Sequence, residues 1–329
     1  MKIFNGASIL ITGGTGSIGS YLTSELLKNS KIKKIAVYSR DELKQHDLRV
    51  KFKNNDRLRW FLGDVRDQSR LTRALNGIDF VIHAAALKQV DSGEYNPMEF
   101  IKTNVIGSQN VIEASIDAKV RKVISLSTDK ASSPINLYGA TKLTSDKLFI
   151  AANNYSQGFG TSFAVVRYGN VMGSRGSVVP HFQQLANNGK TLPITDFRMT
   201  RFWISISMAS KFILDSFTLM RGGELYVPKI PSMKIVDLAR AISPNSELVE
   251  TGIRPGEKIH EEMISLEDGP RTVLIEKNRY VILPIVTEWN YIEPLGEKVP
   301  PGFMYRSDTN TEWLSEFELN QFLNLNRDE

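Results

Sequence analysis

Along the first 170 residues, short apolar and often β-branched runs alternate with stretches whose apolar positions recur three or four apart. The runs are Ser8–Thr12, Ile35–Tyr38, Leu58–Leu62, Phe80–Ala84, Val123–Ser127 and Phe163–Tyr168, each of a length suited to a buried strand. Between the first two, Ile18, Leu22 and Leu26 fall at i, i+4 and i+8 and give one apolar helix face. Asn96-Pro97 opens a second helix reaching about Asp117, with Pro97 in the first turn, where a missing N–H costs nothing. A third starts near Asn136 and carries Tyr138 and Lys142. Regular alternation of this kind predicts an α/β fold: a Rossmann-type parallel sheet with helices on both faces.

After Asn170 the pattern loosens, with turns expected at Gly173 to Gly176, Asn187 to Gly189 and Pro228 to Pro231. The division expected is a nucleotide-binding domain over 1–170 plus roughly 200–228. A smaller substrate-binding lobe follows, over 171–199 and 229–285, and then a tail over 286–329. Within that tail Ser315 and Glu318 have the spacing of a capping box and predict a short helix.

Composition narrows the chemistry. The 329 residues contain no cysteine, which removes disulfides, thiolate metal sites and cysteine nucleophiles. Four scattered histidines give no zinc spacing; His260-Glu261-Glu262 comes nearest, but Ile264 stands where a second ligand is needed, so no metal is expected. The net charge of +5 comes from dispersed cations that never form a run of five, which argues against nucleic acid. No apolar stretch approaches the ~18 residues of a membrane span, and a soluble cytoplasmic protein with no membrane contact is expected.

Thr12-Gly13-Gly14-Thr15-Gly16-Ser17-Ile18-Gly19 follows a strand and opens a helix. Glycines at 13, 16 and 19 allow a tight turn, close approach to a pyrophosphate and helix-on-sheet packing, and the helix start offers free N–H donors. A carboxylate ending the second strand would accept from a ribose 2′-hydroxyl; Ser39-Arg40, with Lys44 a turn later, instead suits a 2′-phosphate and so NADP. Asp64 and Val65 after the third strand are placed to meet the adenine. Ala84, Ala85 and Ala86 after the fourth let a dinucleotide lie against the sheet edge, and Lys88 follows them.

Tyr138 and Lys142 stand at i, i+4 on one helix face. An ammonium there is expected to lower the tyrosine pKa from its usual ~10 and make it a base for an alcohol proton. Thr128, ending the preceding strand, is placed to hydrogen-bond the same hydroxyl. Asn170, the N–H groups of Val178 and Val179, Thr195, Arg201 and Arg254 are the candidates for holding a substrate through cations and backbone donors. Met208 and Phe212, at helical spacing, read as core.

At these residues the chain resembles the extended short-chain dehydrogenase/reductases. Within them, Ser127-Thr128-Asp129-Lys130-Ala131 followed by Pro134-Ile135-Asn136-Leu137-Tyr138-Gly139-Ala140-Thr141-Lys142 is similar to the inverting UDP-N-acetylglucosamine 4,6-dehydratases. The likeness extends through Tyr38 to Lys44, Arg167-Tyr168-Gly169-Asn170-Val171, Met199 to Ile204 and Arg254-Pro255-Gly256-Glu257-Lys258, and weakens after about Leu266.

The resemblance implies a nucleotide-sugar substrate, UDP-N-acetylglucosamine, and internal hydride transfer from C4 to NADP+ and back to C6 with loss of water. Dehydratases that retain C5 configuration carry Asp-Glu after the threonine; Asp129-Lys130 here implies inversion, with Lys130 as the C5 base, if its neighbours hold it partly neutral, and Asp129 as the acid for the C6 hydroxyl. It also implies Arg254 on the diphosphate, Glu257 on the ribose or nucleotide, and Lys88 touching both cofactor and sugar. A symmetric, dimer-based homo-oligomer, up to a hexamer, and a product used for pseudaminic acid or capsule-type polysaccharide follow from the same likeness. Longer members carry N-terminal membrane helices, and this chain is expected to be the short soluble form. A UDP-hexose 4-epimerase shares Tyr138 and Lys142 without needing Asp129 and Lys130; a non-catalytic NADP-sensing regulator is the other alternative.

Overall fold

The computed structural model describes residues 1–173, 177–287, 289 and 291–325. Six parallel strands, β1 (Ser8–Thr12), β2 (Lys34–Ser39), β3 (Leu58–Leu62), β4 (Phe80–His83), β5 (Lys122–Thr128) and β6 (Ser162–Tyr168), coincide with the six apolar runs to within a residue at each end. They lie in the order β6-β5-β4-β1-β2-β3 within a ten-stranded sheet. Along β1 the side chains divide between the two faces: Leu10 joins a core with Ala36, Val81, Val111 and Phe149, and Ile9 and Ile11 join another with Leu22, Leu26, Ile82 and Phe217. Burial on both sides explains why these strands read as continuous apolar runs.

Register sets the chemistry. Thr12 pairs with both Tyr38 and His83, and His83 with Ser125, so the strands end along one edge. The glycine loop, Ser39-Arg40, Ala84 to Ala86 and Thr128 to Lys130 all emerge there, on the side of an open α/β sheet where ligands bind.

The sheet is mostly parallel, as expected, and continues past β6. Leu225–Pro228 pairs parallel with β6, but Arg279–Ile282, Thr272–Ile275 and Glu297–Lys298 extend that side antiparallel. Residues 272–282, expected in the smaller lobe, thus continue the main sheet, because Thr272–Ile275 and Arg279–Ile282 form a tight hairpin whose apolar faces join both main cores. A third core, separate from these, joins Met172, Val179, Phe182, Leu192, Met199, Trp203, Met233 and Leu238 to Leu319 and Leu323 of the final helix, Glu316–Leu325. That helix opens with the capping box: Ser315 donates N–H and hydroxyl to Glu318 Oε2 at 2.8 and 2.7 Å, and the Glu318 N–H returns to Ser315 Oγ. The turn expected at Gly173 to Gly176 falls mostly outside the described residues.

Two further expectations are corrected. The helix from Pro97 to Asp117 is interrupted by a π-helical stretch, Ile101–Ile106. The widened turn is held by Asn104, which accepts from Leu87 N–H and donates to Leu87 O, both at 2.9 Å, and to Thr141 Oγ1 at 3.0 Å. Met208 is 46% exposed in the first turn of its helix, Ile206–Leu219, whereas Phe212 one turn on is buried under the Arg279 guanidinium. No helix among the described residues is long and apolar enough to cross a membrane.

Phe217 makes edge contacts with Phe4 and Phe80, with ring centroids at 5.4 and 5.7 Å. Phe217→Ala should lower the free energy of unfolding by about 3–5 kcal/mol in denaturant titration, from lost burial plus the cavity left behind.

Candidate active site

The first element is the glycine loop. Gly13 adopts φ +64°, and a Cβ there would come within 2.8 Å of the Ala85 backbone. At Gly19 a Cβ would meet Gly14 Cα at 2.6 Å, so glycine is needed to seat the helix Ser17–Leu27 on the loop. A Cβ on Gly16, which caps that helix, would meet only the Gly13 carbonyl, at 3.2 Å. The other two glycines are closed by protein, and Gly16 leaves its outer side to a ligand. Thr15 is buried, Ile18 packs between the cores, and the helix start presents the Ser17, Ile18 and Gly19 N–H groups. This cradle fits a dinucleotide pyrophosphate.

At the end of β2 Ser39 is buried and accepts from Gln45 Nε2 at 3.0 Å, while Arg40 stays half exposed, its guanidinium 3.6 Å from Asp64. Asp41 caps the helix Glu42–Lys51 by accepting the Lys44 N–H and pairs with the Lys44 ammonium at 2.8 Å. The nearest carboxylate is therefore committed to a helix start rather than to a ribose. Asp64 is gripped by Arg66 at 2.9 and 2.7 Å; burial works against its charge, but these bonds hold its pKa below the usual carboxylate range. Val65 beside it is buried, its carbonyl accepting from Asn110. Ala84 and Ala85 are half-buried and Ala86 exposed.

The second element is the turn after β5. Thr128 caps a one-turn helix, Asp129–Ala131, hydrogen-bonds the Tyr138 phenol, and donates to Asp129 Oδ1 at 3.0 Å. The Lys130 ammonium lies 3.1 Å from that same oxygen and 3.0 Å from Glu261 Oε1. Both carboxylates are about 1% exposed, whereas a quarter of the Lys130 side chain remains accessible. The helix Leu137–Ala151, capped by Asn136 on the Gly139 N–H at 2.7 Å, brings in Tyr138 and Lys142, both buried. Lys130 and Tyr138 are joined by close packing: a Cβ on Gly139 would fall well inside contact distance of the Lys130 carbonyl oxygen.

Two electrostatic expectations do not survive. Burial dominates at Tyr138 and pushes its pKa up to about 12; the cation that most opposes this is Lys130 rather than Lys142. Nor is Lys130 partly neutral. Burial alone would depress it, but Asp129 and Glu261 outweigh that and hold it as an ammonium. Asp129 is raised instead: desolvation outweighs the opposing Lys130 ammonium. Lys142 is lowered by burial, with Asp146 opposing. Lys88 is exposed as a residue, yet desolvation at its ammonium and repulsion from Lys130 lower its pKa, which places it beside this cluster.

The substrate candidates separate into two groups. Asn170 keeps a buried Oδ1 with no partner, and Val178 and Val179 open the helix Val178–Asn187 with no side-chain cap on their N–H groups. Arg254 is exposed, and Thr195 is half-buried at the end of the short strand Leu192–Ile194. Arg201, by contrast, is 5% exposed, and its guanidinium is committed to the carbonyls of Thr200, Lys258 and Ile259 and to Glu257 and Glu261 at 3.9 and 3.7 Å. It orders the loop rather than facing a ligand. Three residues here lay outside the sequence reading of the site: Asn104, Lys258, whose ammonium donates to Ser132 O at 2.7 Å, and Glu261. Glu261 and Lys258 fall in or just past the Arg254-to-Lys258 motif, which was the one signal available for them.

The family model for polysaccharide biosynthesis proteins matches residues 9–282. This chain belongs to that family. The inverting UDP-N-acetylglucosamine 4,6-dehydratase of Campylobacter jejuni is 55% identical to it over 98% of each chain. UDP-glucose 4-epimerase of Rickettsia massiliae is 44% identical over 81% of this chain and 80% of its own. Among solved structures, Pen from Bacillus thuringiensis superposes with a TM-score of 0.88 at 35% identity, over 99% of both chains. DesIV, a dTDP-glucose 4,6-dehydratase from Streptomyces venezuelae solved with NAD, gives 0.70 at 26% identity, over 77% of this chain and 86% of its own. The fold of this polysaccharide-biosynthesis family member is thus the nucleotide-binding α/β fold of extended short-chain dehydrogenases.

Gly139→Ala should leave dinucleotide binding intact while lowering the unfolding free energy by about 1–3 kcal/mol, as overpacking does. Turnover should fall as Lys130 and Tyr138 are pushed apart; thermal melting and cofactor titration on the same sample check both parts.

Proposed function

We infer that this family member is a nicotinamide-dependent 4,6-dehydratase of UDP-N-acetylglucosamine that inverts C5. The observation that carries the reading is the Asp129-Lys130 pair beside Tyr138: an acid and an amine where a 4-epimerase needs neither. The 55% identity with the Campylobacter jejuni dehydratase along the full chain, against 44% over four-fifths of it for the epimerase, supports the same choice.

When bound in the glycine cradle, the dinucleotide supplies a hydride acceptor for C4 and afterwards a hydride donor for C6, so none is consumed. The chain's own residues supply the proton chemistry. Tyr138 takes the C4 hydroxyl proton; burial raises its resting pKa, Lys130 opposes that, and the cationic ring of an oxidised nicotinamide held in the cradle would add to the same opposition. Oxidation at C4 acidifies the C5 hydrogen and places the C6 hydroxyl β to a carbonyl. Asp129, whose pKa burial raises, is placed to protonate the departing C6 hydroxyl, and Lys130 to remove the C5 proton. Asn170, the Val178 and Val179 N–H groups, Thr195 and Arg254 are proposed to hold the nucleotide diphosphate, with Glu257 toward its ribose. Arg201 is left out of that set because its donors are already used.

For the cofactor we propose NADP. Arg40 stands half exposed at the end of β2, and the neighbouring Asp41 is taken up as a helix cap.

Incubation with UDP-N-acetylglucosamine in deuterated water, followed by proton NMR, should yield a C6 methyl signal, deuterium at C5 and L-arabino couplings. Asp129→Asn should suppress the methyl signal by roughly 10²–10⁴-fold, the range for loss of an acid–base group. A galacto isomer with no methyl would assign the epimerase instead. Arg40→Ala should weaken NADP+ by about tenfold or more and leave NAD+ nearly unchanged in cofactor titrations, as expected for loss of a charge-assisted contact to a phosphate.

A further inference from the structure

Lys130 as an ammonium cannot abstract a proton, and the structure holds it as one. The resolution lies in an asymmetry between its two carboxylate partners. Asp129 Oδ1 already accepts from Thr128 and from Lys130, and the dehydration step needs Asp129 to carry a proton of its own. A protonated Asp129 cannot also receive the Lys130 proton. Glu261 can: Lys130 and Arg201 outweigh the cost of its burial and hold its pKa below the usual carboxylate range, and its Oε2, like Asp129 Oδ2, is buried with no hydrogen-bond partner, so the Thr128 hydroxyl on Asp129 is what sets the two apart.

The Glu261 backbone is fixed from both directions. Its N–H donates to Ser307 Oγ at 2.9 Å and its carbonyl accepts the Ser307 N–H at 2.8 Å. Next to it, Glu262 accepts from the hydroxyls of Ser132 and Ser133 at 2.8 and 2.7 Å, so the segment carrying Glu261 is tied to the residues that follow the Lys130 turn.

We propose that Glu261 is a positioning residue for the C5 proton transfer: it holds the Lys130 amine in place and takes its proton when substrate excludes water, so that Lys130 meets C5 as a free amine. This rests on the dehydratase reading above. The proton moves from Lys130 Nζ to Glu261, converting an ammonium–carboxylate pair into an amine and a carboxylic acid. Removing water favours the neutral pair, because Lys130, a quarter of whose side chain is accessible at rest, loses its remaining solvation beside an already buried Glu261. Lys130 then takes the C5 proton; the C5–H electron pair forms the C5–C6 double bond as the C6–O bond breaks, and the oxygen leaves with the Asp129 proton as water. The charged groups facing Glu261 and Lys130 are Asp129, Arg201, Lys258 and Lys88. Arg201, 3.7 Å away, favours the carboxylate and makes the protonated state of Glu261 short-lived.

The test compares wild type, Glu261→Gln and Glu261→Asp with UDP-N-acetylglucosamine in deuterated water. It follows nicotinamide absorbance for C4 oxidation and NMR for C5 deuterium and the C6 methyl, across a pH series. Glutamine keeps the hydrogen bond but cannot accept a proton. Glu261→Gln should retain C4 oxidation and cofactor binding while losing about 100-fold or more in C5 deuteration, and Glu261→Asp should recover part of that loss. Product formation by Glu261→Gln at the wild-type rate, or an optimum that merely moves to lower pH, would overturn the proposal. So would equal loss of C4 oxidation and thermal stability in both variants, which marks a purely structural role. Failure of wild type to make any C6 methyl would instead sink the dehydratase reading on its own.

Discussion

One buried cation organises the chemistry of this protein. The Lys130 ammonium sits between Asp129 and Glu261 at 3.1 and 3.0 Å, on a turn that protrudes from β5 where the parallel strands end. Breaking a buried ion pair by removing one partner typically costs about 3–5 kcal/mol, so two carboxylates at nearly equal distance give Lys130 little freedom to leave. Around it the loop 257–262 closes like a clamp. Lys258 donates to Ser132 O, Glu262 accepts from Ser132 and Ser133, and Arg201 beneath ties the carbonyls of 258 and 259 to the carboxylates of 257 and 261. Gly256, at φ +76°, gives its carbonyl to Asn136, the residue that caps the Tyr138 helix. The Arg254-to-Lys258 motif and the segment after it therefore act on the reaction centre from behind.

The same constraint explains the pKa pattern. In water Tyr138, Asp129 and Lys130 would titrate at ordinary values. Excluded from it, the two acids move up and the lysine stays charged only because anions surround it. The resting protein thus keeps the phenol proton in place, with too little positive charge nearby to release it. An oxidised nicotinamide, whose ring is cationic, and a substrate that displaces water would alter this balance together and couple chemistry to occupancy of the site.

Much of the fold was legible in the sequence because its strands are buried on both faces and its helices carry caps. Asn136, Pro97 and the Ser315/Glu318 box each mark a boundary where the structure has one. The antiparallel extension at 272–282 was not legible: Thr272–Ile275 and Arg279–Ile282 are four residues each, and nothing local distinguishes pairing with the main sheet from pairing within a small lobe. The π-helical turn at Ile101–Ile106 is likewise invisible to periodicity, since it is stabilised by Asn104 bonds to residues 17 and 37 positions away. Within the site, residue types and their neighbourhoods could be read, but protonation states could not. The i, i+4 spacing of Tyr138 and Lys142 says nothing about desolvation, which proves to be the larger influence on the phenol.

The motifs also divide in a way that residue type alone does not reveal. Arg167 of Arg167-Tyr168-Gly169-Asn170 is a cation in one of the strings that carry the family likeness, yet it is 2% exposed, bonded to Asp146 at 3.2 Å and to the Met263 carbonyl at 2.9 Å. Asp146 in turn accepts from Ser127, one residue before Thr128, and stands one turn beyond Lys142. Gly169 is required because a Cβ would meet Phe202 at 2.6 Å. Arg167, Asp146 and Arg201 thus fasten strand to helix and helix to loop beneath the reacting groups, while Asn170 keeps a polar oxygen unpartnered. A motif in such a site records a geometric demand, and whether a ligand or the protein itself makes that demand is decided by burial. On that criterion Arg40 and Arg254, both exposed, are open to a ligand, and Arg167 and Arg201 serve the scaffold that holds Lys130, Asp129 and Tyr138 together.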